Sequence, residues 1–174
     1  MATPLTAAGG RKLDFETEAL PHLDDLFRMA VRMTGDRSRA EDALQETYLQ
    51  AWKSFDKFEK GTNCKAWLYR ILFYTVHHQR RKLFRFPLAE DPEETLENTL
   101  VAPEPVPEVL QDQDILKALE AIADDYRSVI LLVDVEEFSY KEAAQILQVP
   151  IGTVMSRLNR GRAQLRKRLS GVAR

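Results

Sequence analysis

Residues 139–169 read SYKEAAQILQVPIGTVMSRLNRGRAQLRKRL, and this stretch decides the fold of the second half of the chain. Ser139 and Glu142 have the spacing of a capping box, in which two side chains satisfy backbone N–H groups at a helix start. Pro150 suits the first turn of a helix and not its interior, so it predicts a break between two short helices. Apolar side chains then recur on one side of the second helix, at Val154, Leu158, Leu165 and Leu169. The stretch therefore predicts two helices joined by a tight turn.

The other side of the second predicted helix is polar and basic. It carries Met155, Ser156, Asn159, Arg160, Arg162 and Arg166. A short polar side chain near the helix start, followed by asparagine and arginine, suits contact with base edges and phosphates in a DNA major groove. The alternative is a solvated basic helix. The capping residues, the turn and the apolar side all occur in one short stretch. The small residue Gly161 also lies there, and a neighbouring helix can approach closely beside it. The pattern therefore favours a DNA-binding helix-turn-helix.

The composition is that of an ordinary globular protein with one basic end. The chain has 174 residues, of which 44% are hydrophobic and 30% charged. Glycine is scarce, while Leu, Ala, Glu, Arg and Lys are abundant, and this balance favours an all-α fold. The net charge of −2 hides an uneven distribution, because residues 141–174 contain eight basic side chains and one acid, Glu142. Such a basic end fits nucleic-acid binding.

Several classes of site are not expected. Cys64 is the single cysteine, so neither an internal disulfide nor a Cys/His metal site is expected. No catalytic set of side chains and no phosphate-binding glycine loop stands out, which argues against an enzyme and against a bound cofactor. The apolar runs are too short for a membrane span, so we expect a cytoplasmic protein without membrane insertion.

The first half predicts three helices after a flexible tail at residues 1–14. The first helix ends at Gly35, and the second begins with capping-box spacing at Ser38 and Glu41. Beside its wide apolar face, the second helix has a separate stripe at helical spacing, formed by Asp42, Gln45, Glu46 and Leu49. Acidic and amide groups around one leucine fit the docking of a partner helix. The alternative is a solvated face with one exposed leucine.

The third predicted helix, residues 66–82, has arginines interleaved with aromatic side chains on one side. This side carries Arg70, Phe73, Tyr74, His77 and Arg81. Cations bind phosphates and flat rings stack on unpaired bases, so the stripe suits single-stranded nucleic acid, although it is also typical of a helical core. Cys64 lies in the loop before this helix. We interpret it as an ordinary loop cysteine, with a redox role as the alternative.

Residues 87–111 change composition abruptly, with five prolines, seven acidic side chains and no lysine or arginine. Such a segment is expected to be an extended linker. Its acidity also allows it to imitate nucleic acid, in a basic channel of a partner or over the basic helices of this chain. Beyond it, residues 112–135 predict two helices, the second capped by Asp124 or Asp125, that form an apolar wall under the helix-turn-helix.

The chain contains three motifs in order: AEDALQETYLQAW at 40–52, KAWLYRIL at 65–72 and EEFSYKEAAQILQVPIGTVMSRLNRGRAQLRKRL at 136–169. Together they indicate one family. With them the chain resembles the extracytoplasmic-function class of sigma-70 family factors. The resemblance implies two small helical domains, region 2 at residues 15–86 and region 4 at 112–174, joined by the acidic linker at 87–111. It implies a bacterial alternative sigma factor, which binds RNA polymerase core, directs it to specific promoters and assists melting. A stand-alone helix-turn-helix regulator is the alternative, and an RNA-binding or adaptor protein is a third.

The resemblance also implies roles for single residues. Docking on the β′ clamp helices of the polymerase is implied for Asp42, Gln45, Glu46 and Leu49, with the β flap as a further contact of the chain. Minus-ten DNA binding is implied for Asn63, Lys65, Arg70, Tyr74, Arg80 and Arg81. Minus-thirty-five binding is implied for Thr153, Met155, Ser156, Asn159 and Arg160, with Lys141 and Arg157 as phosphate contacts. A narrower resemblance concerns two segments, GTNCKAWLYRIL at 61–72 and PIGTVMSRLNRGR at 150–162. They are most similar to the subgroup controlled by zinc-containing anti-sigma factors, which implies such a partner.

Overall fold

The computed structural model describes residues 5–83 and 112–171, and over these ranges the chain is helical, without a strand. The helices are α1 (Leu5–Ala19), α2 (Leu23–Thr34), α3 (Arg37–Ser54), α4 (Cys64–Leu83), α5 (Asp112–Glu120), α6 (Asp124–Ile130), α7 (Tyr140–Leu147) and α8 (Ile151–Gly171). Short 3-10 turns precede α2 and follow α3, and a π-helical stretch, Leu131–Val135, continues α6. The all-α prediction is confirmed. The linker predicted for 87–111 lies outside the described residues.

The N-terminal segment differs from the sequence prediction of a flexible tail at residues 1–14. From Leu5 onward it forms α1, and two side chains one turn apart hold this helix to α3. The Arg11 guanidinium donates a hydrogen bond of 2.7 Å to the carbonyl oxygen of Trp52 and lies over the indole ring of the same residue. Phe15 is buried and meets Trp52 edge to face, with ring centroids 5.2 Å apart. The prediction is wrong from residue 5 because a tertiary contact orders this segment.

The turn between α2 and α3 is built by two local signals. Gly35 ends α2 with φ +66°, a left-handed conformation that glycine adopts without strain, as the sequence predicts. The start of α3 differs from the prediction. Asp36 is its N-cap and accepts a hydrogen bond of 2.8 Å from the backbone N–H of Arg39, so the box predicted at Ser38 is wrong. Asp36 and Ser38 are both suitable N-caps and lie two residues apart. Because the tight turn is at Gly35, the helix begins at the earlier of the two.

Small side chains on α3 let its neighbours approach closely. They are Ala40, Ala43, Thr47 and Ala51, all fully buried. Helix α4 packs on α3 and contributes large buried side chains to the core, among them Leu68, Leu72 and Phe73. Phe73 is a correction to the predicted nucleic-acid stripe, because its ring is only 2% exposed and belongs to the core. Each buried residue of this size contributes about 1.5–3 kcal/mol of transfer free energy to the bundle.

In the second half, α5 and α6 pack against α8, as predicted for the wall under the helix-turn-helix. No side chain caps α6, whose N-cap is Ala123. The predicted caps Asp124 and Asp125 lie instead in its first turn, where carboxylates interact favourably with the helix dipole.

The helix-turn-helix itself follows the sequence pattern. The predicted capping box is confirmed: Ser139 Oγ accepts from the backbone N–H of Glu142, and Glu142 Oε2 accepts from that of Ser139 at 2.9 Å. Helix α7 ends at Gln148 in a left-handed conformation, so the break comes before Pro150, which precedes α8. Gly161 allows the predicted close approach, because a Cβ there would lie 2.9 Å from Ile130 Cδ1 on α6.

The two halves of the chain pack against each other, with α7 on α4 and both α5 and α6 on α2. The buried side chain of Arg127 joins them. Its guanidinium donates to the Met33 carbonyl oxygen at the end of α2 (3.1 Å), to that of Glu120 at the end of α5 (2.9 Å) and to that of Ile122 just after it (3.0 Å). One side chain thereby hydrogen-bonds the end of α2, the end of α5 and the connection between α5 and α6.

Candidate nucleic-acid and partner interfaces

The predicted docking stripe on α3 lies on the surface. Asp42, Gln45 and Leu49 are exposed, and the side chain of Leu49 keeps 46% of its area in contact with solvent. Glu46 is half-buried and accepts a hydrogen bond of 2.7 Å from Gln50 Nε2. Since α2 and α4 pack on the other side of α3, the stripe presents one apolar side chain among acidic and amide groups.

Four of the six residues predicted to bind the minus-ten element are exposed: Asn63, just before α4, and Arg70, Tyr74 and Arg81 on that helix. Tyr74 is 69% exposed, and its ring stacks on that of His78 one turn later, with an interplanar angle of 18° and centroids 6.0 Å apart. Two stacked rings between two arginines form a surface suited to unpaired bases and phosphates. The sequence stripe omitted His78, although its i, i+4 spacing from Tyr74 is a usable signal.

Asn63, although exposed, has a structural task at the start of α4. Its Oδ1 accepts a hydrogen bond of 2.9 Å from the backbone N–H of Ala66, so Asn63 caps the helix. Its Nδ2 donates to Glu142 Oε1 of α7 at 3.1 Å. The capping box of the helix-turn-helix is thereby linked to the cap of α4.

Lys65 lies in the contact between the two halves. Its ammonium nitrogen is 3.0 Å from Glu136 Oε2, which follows the π-helical stretch, and 3.4 Å from Asp25 Oδ2 on α2. The rings of Tyr69 and Phe138, which meet edge to face, flank the same ammonium group. Burial alone would lower the pKa of Lys65, but the hydrogen bonds and charges of Glu136 and Asp25 outweigh it and raise that pKa. Lys65 therefore stays protonated, and its ammonium group is already bound by Glu136 and Asp25.

Arg80, near the end of α4, forms an ion pair with Asp124 in the first turn of α6. One turn earlier, His77 is largely covered, and burial lowers its pKa in spite of the carboxylates of Asp124 and Asp125 nearby. Both residues face the second half of the chain. The structure thus places a carboxylate of the second half in contact with each of three residues, Asn63, Lys65 and Arg80.

The outer face of α8 carries the residues predicted to read the minus-thirty-five element. Met155, Ser156 and Asn159 are exposed, whereas Thr153 and Arg160 are partly covered. Arg157 differs from these, since its guanidinium forms an ion pair of 2.7 Å with Asp125 on α6. The predicted phosphate contact Lys141 is exposed on α7.

An open cleft of about 1230 Å³ separates α4 from the turn between α7 and α8. Arg70 and Tyr74 line one wall, and Asp125, Gln148 and Arg157 line the other. The exposed part of the α4 surface therefore faces the second half across this cleft.

Two family models match the chain, and together they cover both halves. Sigma-70 region 2 matches residues 20–85, which contain α2 to α4, and Sigma-70, region 4 matches residues 112–165, which contain α5 to most of α8. The chain is 33% identical over 148 residues to the ECF RNA polymerase sigma factor EcfG of Rhodopseudomonas palustris, with 85% of this chain and 81% of the relative covered. This chain belongs to the extracytoplasmic-function sigma factors. It is a member of the sigma-70 family.

Other sigma factors are similar over most of the chain. The ECF RNA polymerase sigma factor SigE of Mycolicibacterium smegmatis is 34% identical over 157 residues, which span 86% of this chain and 59% of that relative. The solved structure of the sigma factor RpoE from Bartonella quintana, in complex with the anti-sigma factor NepR, superposes with a TM-score of 0.72 at 36% identity. That match covers 90% of this chain and 96% of the other.

In this sigma factor Cys64 is the first residue of α4 and its side chain is buried. Burial, together with the charge of Glu18, raises the pKa of the thiol to about 11, so the reactive thiolate is scarce at neutral pH. The structure therefore favours the ordinary cysteine over the redox alternative.

Neither a metal site nor a membrane span is found within residues 5–83 and 112–171. No group of three or more His, Cys, Asp and Glu side chains is placed there to hold a metal ion. Among the helices of this part of the chain, none has the length and apolar character that crossing a bilayer requires.

Proposed function

We propose that this sigma factor docks on RNA polymerase core through the α3 stripe and directs the enzyme to promoters with one DNA surface on each half. The exposed acidic and amide groups around Leu49 support the docking role, because a solvated leucine ringed by polar groups is a suitable anchor for a partner helix. The observation that carries the proposal is that this stripe and the α8 face are both exposed on a chain matched by both region models.

The minus-ten role is proposed for the α4 surface. Stacked Tyr74 and His78 would hold unpaired bases, and Arg70 and Arg81 would neutralise phosphates. The sigma factor would contribute binding energy to strand opening, without performing phosphoryl transfer itself.

The minus-thirty-five role is proposed for α8. Ser156, Asn159 and Arg160 would reach base edges from a helix in the major groove. Arg157 is held by Asp125, so it would contact phosphate only after giving up that ion pair.

Control by an anti-sigma factor is proposed from a relative. The Bartonella quintana sigma factor, at 36% identity, is bound to one in its solved structure. That the partner of this chain contains zinc stays a prediction from the sequence resemblance.

Core binding is the decisive test. The double variant Asp42→Arg, Leu49→Arg should lose association with purified RNA polymerase core in a pull-down, with its circular dichroism unchanged. The control is Glu41→Arg, which reverses one charge at an exposed position of the same helix outside the stripe and should retain core binding. Absence of any association between wild-type protein and core, with tight binding of the free protein to duplex DNA, would favour the stand-alone regulator instead.

A further inference from the structure

We propose that Asp134 is a positioning residue for DNA binding by the second half, because it holds Arg162 of α8 in place as a further phosphate contact beside the minus-thirty-five bases. The inference rests on the proposed minus-thirty-five role of α8. Asp134 belongs to the π-helical stretch that continues α6, so the two partners come from different elements. Neither residue is among those assigned to this DNA element from the sequence resemblance.

The carboxylate of Asp134 binds one edge of the Arg162 guanidinium. Arg162 Nε donates to Asp134 Oδ2 at 3.0 Å, and Arg162 Nη2 donates to Asp134 Oδ1 at 2.5 Å. Such a paired contact fixes the plane and the rotation of the guanidinium group. It uses the Nε edge of the group and leaves the Nη1 edge for the oxygens of a phosphate.

Arg162 lies on the face of α8 that is proposed to meet DNA. It follows Met155 by about two helical turns and Asn159 by about one, so the three side chains share one side of the helix. The side chain of Arg162 is 46% exposed, which leaves its guanidinium accessible although Asp134 holds it. The geometry therefore places a fixed cation on the same side as residues proposed to read bases.

Arg162 also lies beside the start of α7, which favours a phosphate over a base as its partner. Hydrogen bonding to Asp134 raises the pKa of Arg162, and the nearby phenol of Tyr140, the first residue of α7, adds to the rise. In a helix-turn-helix the N-terminal residues of the second helix contact base edges, whereas the first helix crosses the DNA backbone. Arg162 lies about three turns into α8, beyond those N-terminal residues. Its expected partner is therefore the backbone near the predicted phosphate contact Lys141.

Charge alone predicts the opposite effect of Asp134 on DNA binding. A carboxylate beside a phosphate repels it, so removal of the carboxylate should strengthen binding if Asp134 acts only as a charge. If Asp134 orients Arg162, its removal frees a long side chain, whose conformational entropy is then lost on binding. The positioning role therefore predicts weaker DNA binding after the loss of an acidic group.

The test measures duplex DNA binding by the full chain. The DNA is a labelled duplex that the wild-type protein, free or bound to polymerase core, selects from a random-sequence pool. Fluorescence anisotropy gives the affinity over a series of salt concentrations. Asp134→Asn should bind roughly threefold to tenfold more weakly than wild type. The matched control Glu137→Gln removes the same charge three residues further on, at an exposed side chain, and should bind as tightly as wild type or slightly more tightly.

Arg162→Ala supplies the second measurement. The loss of one phosphate contact should lower the slope of log affinity against log salt concentration by about one, with a similar loss of affinity for every duplex sequence. A purely structural role of the ion pair would lower the stability in urea and leave that slope unchanged. In the Arg162→Ala background, Asp134→Asn should no longer weaken DNA binding.

Two results would overturn the positioning role. One is binding by Asp134→Asn as tight as that of Glu137→Gln. The other is an unchanged salt slope for Arg162→Ala, which does not depend on the folding of the Asp134 variant. Either result would leave the sigma role intact if wild-type protein with core initiates transcription. The expected losses in both variants, with no association of wild-type protein and core, would support the positioning of Arg162 and reject the sigma role.

Discussion

Replacing Gly161 by alanine tests how closely α8 lies against α6. A Cβ at position 161 would be 2.9 Å from Ile130 Cδ1 and 3.2 Å from Tyr126 Cβ, both closer than ordinary contact. The methyl end of Ile130 can rotate away, but Tyr126 Cβ is fixed to the backbone of α6. The two helices must therefore move apart by a few tenths of an ångström to accept the new methyl group.

Two opposing effects set the size of the change. Alanine in place of glycine inside a helix stabilises it by roughly 1 kcal/mol, because less backbone entropy is lost on folding. Overpacking a close contact costs about 1–3 kcal/mol. Because the Tyr126 contact cannot relax by rotation, we expect the second effect to prevail, with a net loss of about 1 kcal/mol in the free energy of unfolding.

Urea denaturation followed by circular dichroism measures the change, and the same helix supplies the control. Gly152 lies in the first turn of α8, and a Cβ added there would meet nothing within 4 Å, so Gly152→Ala should be neutral or slightly stabilising. If Gly161→Ala is as stable as Gly152→Ala, with equal m-values, the approach of α6 and α8 is looser than the structure shows and the reasoning fails.

Three further predictions concern single side chains. Arg127→Met should lower the free energy of unfolding by about 3 kcal/mol, since it removes three hydrogen bonds to backbone carbonyls; a urea midpoint equal to that of wild type would contradict this. Ser139→Ala should cost about 1 kcal/mol at neutral pH. Hydrogen bonds from Ser139 hold the pKa of Glu142 below its ordinary value of 4.5. The stability that the capping box contributes is therefore complete above pH 4.5 and is lost as the pH falls through the lowered pKa of Glu142. Urea titrations at several pH values should show the difference between Ser139→Ala and wild type shrinking over that range. Cys64 should react slowly with a thiol reagent at pH 8 in the native protein and promptly in urea, whereas equal rates would show that the thiol is not buried.

Local signals in the sequence predicted what depends on a few neighbouring residues. The box at Ser139 and Glu142, the glycine stop at Gly35 and the apolar side of α8 are each fixed by backbone hydrogen bonding or by helical spacing. The sequence failed where two local solutions compete or where a distant contact decides. Asp36 and Ser38 are both good caps, and α1 is ordered by Arg11 and Phe15, whose partners lie on α3 and beyond.

The candidate surfaces were likewise predictable only where they depend on local helical spacing. Arg70, Tyr74 and Arg81 are exposed at the spacing that the sequence indicated, because a face of regular helix is a local property. Phe73 lies on the boundary of that face, and the packing of other helices against α4 decides that it is buried. The carboxylate partners of Lys65 and Arg80 come from elements far along the chain, and no periodicity within α4 carries information about them.

The double role of Lys65 changes how its variants must be interpreted. Lys65→Ala would remove a proposed phosphate contact and, at the same time, leave Glu136 with Arg32 as its remaining cationic partner within the described network. A loss of DNA binding in that variant would therefore combine a missing DNA contact with a weakened contact between the two halves of the chain. Glu136→Gln weakens the contact between the two halves and keeps the side chain of Lys65, and the carboxylate that it removes is not expected to bind phosphate. Comparison of the two variants separately and together, as a double-mutant cycle, separates the loss of a DNA contact from the weakening of the contact between the halves.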